Sequence, residues 1–532
     1  MVDTERIRVM TDSDAISWID EEEDRIFRHI LALRAIRNSV APAINRLPDE
    51  IISRIMILYK SLHLRIEGSF ERSWEKITLV CRWWRSVAVK TAVLWTDIDF
   101  GHKSGAVAYL SRSRNAHLYV RVRIDGRSSP NGAPQRFMEM LIPHSTRIVA
   151  FVAYVQPTQL ETLAPLLSSP FPKLQTLSVT VSGLLGHSDA PRILPNISNP
   201  HSLRTVSLYG VYIPPDSRIL RGLRKLELHD QQLHDAFPSP EEFLNLLDRN
   251  PQLSSLTISR SDNWQLPQNV IQKPWPQRRI VPKFLRSLTL DIERRQTVKF
   301  LSHVRVPKST TITITCRLFD LLMENVHDFS AVLPRRQDNR LECLPIIDRV
   351  TVEYSSITDI EVTAFEGKRT CLQVYLEDVS SVDAPDVVPS FYATIGKAFQ
   401  FSPVTHLSLE FDDPTPTEDE WFSLLSYFPA LNCLDVKYSS ESVEPSGPTL
   451  WEALGDSRTA GEFVCPGLIS VKVTRMVSSE GFNQSLVSCL QRRIQNGLPK
   501  LNHLQLSGML WGEGAEIEWP NVEEYVAEFL HH

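Results

Sequence analysis

Leu223-Arg224-Lys225-Leu226-Glu227-Leu228 and Leu253-Ser254-Ser255-Leu256-Thr257-Ile258 share one pattern: an apolar residue, two others, an apolar residue, one other, an apolar residue. It returns at Leu174-x-x-Leu177-x-Val179, Leu203-x-x-Val206-x-Leu208 and Leu285-x-x-Leu288-x-Leu290. Later copies are Ile347-x-x-Val350-x-Val352, Val404-x-x-Leu407-x-Leu409, Leu431-x-x-Leu434-x-Val436, Leu468-x-x-Val471-x-Val473 and Leu501-x-x-Leu504-x-Leu506, with weaker forms at Ile312-x-Ile314 and Val374-x-Leu376. The last two apolar positions alternate as in a half-buried strand, and the first reads as a buried turn residue. A proline often stands just before the first position, as at Pro172, Pro200, Pro251, Pro282, Pro429, Pro466 and Pro499, where it cannot continue a helix. Helical spacing precedes several copies, over Glu241–Leu247, Glu418–Leu425 and Phe482–Ile494. The expectation for residues 141–510 is therefore an α/β array, with parallel short strands on one face and helices on the other. An unrelated parallel strand-helix domain is the alternative.

Two stretches interrupt the pattern. Arg260–Pro282 carries Trp264, Trp275, Arg278 and Arg279 without periodicity, a composition that suits a binding loop as well as packing on the array's flank. Ser439–Gly461 is rich in Ser, Pro and Gly around a short helical Leu450–Leu454. At 511–532, Trp511, Trp519, Tyr525 and Phe529 are expected to cap the open end. Residues 101–140 read as a linker or a first irregular repeat.

Upstream, Ile26, Phe27, Ile30, Leu33 and Ile36 mark an amphipathic lead helix within residues 1–40. Leu47-Pro48-Asp49-Glu50-Ile51-Ile52 then signposts a helix start. The proline has a helical φ, two acids complement the dipole, and Ile51, Ile52 and Ile55 form an apolar face. A further helix carries Ile77, Val80, Cys81, Trp84, Val87 and Ala88, followed by Leu94-Trp95.

Residues 41–100 resemble the F-box family in Leu47-Pro48-x-Glu50-Ile51-Ile52, Val80-Cys81-Arg82-x-Trp84-Arg85 and Leu94-Trp95, and the lead phrase Arg37-Asn38 to Pro42 resembles the family's expanded fungal members. One departure is the stretch 57–73, longer than the link in a compact F-box. The repeats resemble the irregular leucine-rich-repeat type found behind F-boxes, although the strand-following asparagine is mostly absent and the intervals vary from 20 residues upward. The resemblance implies a helical F-box module followed by a strand-helix leucine-rich-repeat solenoid. It also implies a substrate adaptor of a Skp-cullin-F-box ubiquitin ligase, with Leu47, Pro48, Ile51, Ile52, Ile55, Val80 and Trp84 docking a Skp-type adaptor and the repeats holding a protein substrate. Trp264, Trp275, Arg278 and Arg279 are the candidate substrate contacts. Simple helical-hairpin packing would account for the same apolar spacing. An F-box scaffold acting outside ubiquitination shares every motif, and an enzyme on a parallel strand-helix scaffold is a further alternative.

The net charge of −6 supplies no global attraction for nucleic acid or an anionic membrane. The first residues lack a secretory or transit pattern and no apolar run is long enough to span a bilayer, which places the chain in the cytoplasm or nucleus as an expectation. Seven scattered cysteines without a Cys-x-x-Cys pair read as core residues. No phosphate cradle, dinucleotide fingerprint, zinc helix or nucleophile elbow is present, so the sequence is read as non-catalytic, without cofactor or metal. His229-Asp230 and Asp412-Asp413 are read as solvated charge.

Overall fold

The computed structural model describes residues 10–40, 43–67, 73–100, 103–124, 133–181, 197, 201–214, 216–229, 240–259, 277–317, 328–334, 341–356, 359–377, 394–411, 416–438, 448–456, 463–475, 477–478, 480–508, 510–511 and 522–531. The protein is mixed α/β, with a mostly parallel arrangement of strands. It divides into two compact units: Met1–Ser178 with Pro195–Ser202, and Val179–Leu194 with Leu203–His532.

The first unit begins with helix α1 (Asp12–Val40), α2 (Asp49–Glu67) and, after a 3-10 turn at Ser73–Leu79, α3 (Arg82–Lys90). The stretch 57–73, which departs from the compact F-box, largely lengthens α2. Pro48 stands just before α2, and its carbonyl accepts from Ile51 N at 3.0 Å and Ile52 N at 3.2 Å, so it closes the first turn from the capping position. Cys81 caps α3, its Sγ accepting from Trp84 N. Three parallel strands follow: β1 (Asp97–Asp99), β2 (Leu118–Ile124) and β3 (Ile148–Val155), with α4 (Lys103–Arg112) and α5 (Ala133–Leu141) between them. Residues 101–140 thus hold a strand and helices rather than a bare linker. Arg147, buried, donates to Ser113 Oγ at 2.9 Å and to the Ala116 and Leu110 carbonyls, closing the end of α4.

Strand β4 (Thr176–Val181) spans the division between the units. In the second unit β5 (Thr205–Tyr209), β6 (Lys225–His229), β7 (Ser255–Ser259), β8 (Ser287–Asp291) and β9 (Thr311–Arg317) pair in order, all parallel. Helix α6 (Pro240–Asp248) joins β6 to β7, and α7 (Arg294–His303) joins β8 to β9. The order then departs from sequence. Strands β10 (Arg349–Ser356), β11 (Asp359–Glu366) and β12 (Arg369–Glu377) form an antiparallel meander, so β9 pairs with β12 rather than with β10. The turn between β11 and β12 has Gly367 at φ 58, the left-handed conformation that a tight hairpin needs at its first central residue, and Asp348 accepts its N–H. This corrects the expectation of helices separating every strand. The Ile347 copy is β10, but it is joined to the preceding strand β9 through β11 and β12.

Parallel pairing resumes from β10 to β13 (His406–Phe411), β14 (Cys433–Tyr438), β15 (Ser470–Thr474), β16 (Leu501–Ser507) and β17 (Val526–His531). Helices α8 (Glu418–Ser426), α9 (Pro448–Gly455) and α10 (Glu480–Gln495) connect successive strands from β13 to β16. Thr417 starts α8 with a reciprocal cap: its hydroxyl accepts from Glu420 N, and Glu420 accepts from Thr417 N at 2.9 Å. In the expected cap, the described residues 522–531 carry a further strand, β17, with Phe529 beside Leu504. Trp519 lies outside the described residues.

Register explains the repeat. Val206, Leu226, Leu256, Leu288 and Ile312 are successive partners, then Leu372, Ala364, Val350, Leu407, Leu434, Val471 and Leu504. All of them are buried, forming one continuous apolar row across the strands. The first apolar position of a copy closes a turn: Leu253 N donates to Asn250 O, Leu285 N to Pro282 O, Leu431 N to Phe428 O and Leu468 N to Cys465 O. The next two amides then share one carbonyl of the preceding strand's entry. Ser254 N and Ser255 N donate to Arg224 O, as Ile469 N and Ser470 N do to Asn432 O.

Asn250, also buried, accepts from Leu223 N at 2.7 Å and donates to the Leu220 and Leu246 carbonyls at 2.8 and 2.7 Å, stitching one strand-helix unit to the one before. Asn250→Ala strands the Leu223 amide in the interior. We expect a loss of about 2 kcal/mol in denaturant unfolding, and an unchanged midpoint would show that the stitch is dispensable.

Candidate docking face

Helix α2 has two apolar stripes with different fates. Ile52 and Met56 are fully buried with Trp74, Trp84, Val87, Leu94 and Trp95. The rings of Trp74, Trp95 and Tyr109 meet edge to face at centroid distances of 4.9 to 6.3 Å, and Arg112 lies over Trp95. Lys60, in the same helix, is buried too. It pairs with Asp97, donates to Leu94 O at 2.9 Å and sits over the Trp74 face, which satisfies a charge that could not otherwise leave water. It also reaches Val93 O at 3.4 Å, and both carbonyls belong to the 3-10 turn Ala92–Trp95, so Lys60 locks α2 to that turn.

The second stripe runs Ile51, Ile55, Leu58, Leu62, at spacings of four, three and four, and lies at the surface: Ile51 is 47% exposed, Leu58 51% and Leu62 57%, with Ile55 half-buried. Pro48 is exposed at its start and Leu47 half-buried. Leu79, 68% exposed, and Val80, 58%, immediately precede α3. Trp83 Nε1 donates to Asp49 Oδ1 at 3.0 Å, tying the start of α3, which Leu79 and Val80 precede, to the start of α2. The arrangement is an apolar surface built on a rigid, fully packed core.

Of the seven residues assigned from sequence to docking, the structure exposes Pro48, Ile51 and Val80, half-exposes Leu47 and Ile55, and buries Ile52 and Trp84 as core. Leu58, Leu62 and Leu79 were not anticipated, although Leu58 and Leu62 continue the helical spacing from Ile51 and Ile55.

On the array, Trp264 and Trp275 lie outside the described residues, as do Asp230, Asp412 and Asp413. Arg278 donates to Asn245 Oδ1 at 2.6 Å, Asp248 Oδ2 at 2.9 Å and Glu241 O at 3.2 Å, which fastens it to α6, whereas Arg279 is exposed. The strand face opposite the apolar row is polar. Ser207, Glu227, Thr257, Thr289, Thr313 and Gln373 are successive partners across it, as are Ser408, Asp435, Lys472 and Gln505. Burial alone would raise the Glu227 carboxyl, but hydrogen bonds from Lys225 and Ser207 and the nearby Lys225 charge hold it below the ordinary carboxylate value, so it stays anionic. His229 stacks on Tyr209 and shares a hydrogen bond with Ser259 Oγ at 2.6 Å.

All seven cysteines are free, and burial pushes Cys343, Cys465 and Cys489 up to about 12. A shallow groove of about 420 Å³ in the first unit is lined by residues including Val107, Leu110, Met140, His144 and Arg147, where burial and then the Arg147 charge lower the His144 pKa. Among the described residues no three His, Cys, Asp or Glu side chains gather as metal ligands, and no helix is long and apolar enough to cross a membrane. No protein-family model matches the chain, and a search of the curated proteins finds no match either.

Proposed function

We propose that this chain is the substrate adaptor of an SCF-type ubiquitin ligase, in which the helical unit around α2 and α3 is an F-box that docks a Skp-type adaptor and the strand array is a leucine-rich-repeat solenoid that holds a protein substrate. The observation that carries the reading is the exposed stripe Ile51, Leu58 and Leu62 with Leu79 and Val80, set on a helical unit whose other stripe is packed. Apolar side chains gathered at this density on a surface favour a partner over water. The resemblance of residues 41–100 to the F-box names the partner class.

No bond-making chemistry is needed from the chain itself. Holding a substrate and a ligase together raises the effective concentration of substrate lysines at the loaded conjugating enzyme. The polar strand face, with alternating hydroxyl, acidic and basic side chains, supports recognition by hydrogen bonds and charge rather than by an apolar pocket. The test is affinity purification of the tagged chain from cells followed by mass spectrometry. A Skp-type adaptor with a cullin should be recovered together with cargo. Recovery of folded chain without any Skp-type adaptor would overturn the reading.

A further inference from the structure

Helix α1 is 29 residues long and is exposed along most of its length. Its contacts with the rest of the unit run chiefly through the 3-10 turn Ala43–Arg46 that follows it. Along it, Ile16, Ile19, Glu23, Ile26, Ile30, Leu33, Arg37 and Val40 alternate at spacings of three and four, the a and d positions of a heptad repeat. The six apolar members are 39% (Ile30) to 65% (Val40) exposed. A stripe of this regularity, about 36 Å long at the helical rise, is a seam for another helix of the same kind.

We propose that α1 pairs with α1 of a second copy of this chain as an antiparallel two-helix coiled coil. Charge decides both the occupant and the direction. The helix is acidic up to Asp24, with Asp20, Glu21, Glu22, Glu23 and Asp24, and basic after it, with Arg25, Arg28, Arg34 and Arg37. A parallel pair would stack Glu23 on Glu23 and Arg37 on Arg37 inside the seam. An antiparallel pair centred between Ile26 and Ile30 sets Ile16 against Val40 of the second copy, Ile19 against Arg37, Glu23 against Leu33, and Ile26 against Ile30. Glu23 then lies one layer from Arg37 of the second copy, and on the flank Asp20 faces its Arg34. Opposite charges across a seam select the partner and its orientation, and like charges reject the alternative. The same helix therefore supplies the complement of its own charge pattern.

Sedimentation equilibrium on the full chain tests this. The wild type should dimerise with a dissociation constant on the order of 10 μM, as befits fewer than four heptads. Ile26→Asp with Ile30→Asp, both at exposed positions, should weaken dimerisation at least about a hundredfold. Asp20→Arg alone and Arg34→Asp alone should each weaken it by about tenfold, and the two together should restore it, because the swapped pair is again complementary only if the helices run antiparallel. A chain monomeric at about 200 μM would overturn the proposal. So would a dimer indifferent to Ile26→Asp with Ile30→Asp, or a double charge swap no better than its single variants.

Discussion

A chain carrying Ile51→Asp together with Leu58→Asp is expected to lose a Skp-type adaptor by about a thousandfold, or about 4 kcal/mol, while its fold persists. Both side chains are about half exposed on α2, so neither substitution opens a cavity or buries a charge in the free protein. In the complex each carboxylate would be carried into a desolvated contact without a partner. The controls run the other way. Ile52→Ala and Trp84→Ala remove fully packed groups and should cost roughly 2 to 5 kcal/mol of stability in the first unit, so that any loss of docking follows unfolding. Leu47→Ala with Pro48→Ala should also weaken docking, partly by removing contact and partly because the proline ring restricts the backbone at the capping position of α2. Calorimetry with a purified Skp-type adaptor measures all of these. Wild-type affinity in the Ile51→Asp, Leu58→Asp chain would remove the F-box assignment and the ligase role that rests on it.

In the second unit the largest single-residue effect should come from Arg493→Ala, at about 4 kcal/mol of stability. Arg493 sits on α10 with its guanidinium buried and directed at carbonyls: Cys465 O at 3.1 Å, and Leu454 O and Val464 O at 3.4 Å. Leu454 lies in the last turn of α9, where the helix dipole favours a cation. Desolvation holds the Arg493 pKa below its ordinary value, so the fold spends free energy to keep the ion inside and recovers it through those oxygens. Truncation to alanine leaves the carbonyls without this donor and a void where the side chain lay. Arg493→Lys should recover only part of the loss, because one ammonium cannot span three separated acceptors as a planar fork does. Urea unfolding followed by tryptophan fluorescence reads the change. A loss below about 1 kcal/mol would mean that water replaces the guanidinium at little cost.

Much of the secondary structure was legible in the local pattern. The helix expected over Glu418–Leu425 is Glu418–Ser426, and the one over Glu241–Leu247 is Pro240–Asp248, because the apolar spacing and the first-turn acids are properties of the segment itself. The middle apolar residue of each copy in the second unit fell on the buried row for the same reason: period-two alternation specifies which side chains face together whatever the neighbouring strand is. Even the weak copies at Ile312 and Val374 proved to be strands, β9 and β12, paired directly with each other.

The docking residues were legible only as a mixed set. Ile51 and Ile52 are adjacent, equally apolar and equally compatible with a helix, yet one is about half exposed and the other fully buried. Spacing identifies two candidate stripes on α2, but only the positions of Trp74, Trp84 and Leu94 determine which stripe is covered. Lys60 was passed over for a related reason. A lysine among apolar residues reads as a solvated end until Asp97 and the Leu94 carbonyl are brought beside it from distant sequence.

The sequence by itself determined most of the individual strands and helices, the residues that fill the apolar row of the array and the amphipathic character of α1, since each depends on the short-range geometry of one segment. Tertiary structure alone decided that β12 rather than β10 lies beside β9, that Ile52 is core while Ile51 is surface, and that Arg493 closes the end of α9. Strand order, coverage of one stripe rather than another and satisfaction of a buried charge are choices among competing non-local contacts, and their free energies exist only once segments far apart in the chain have met.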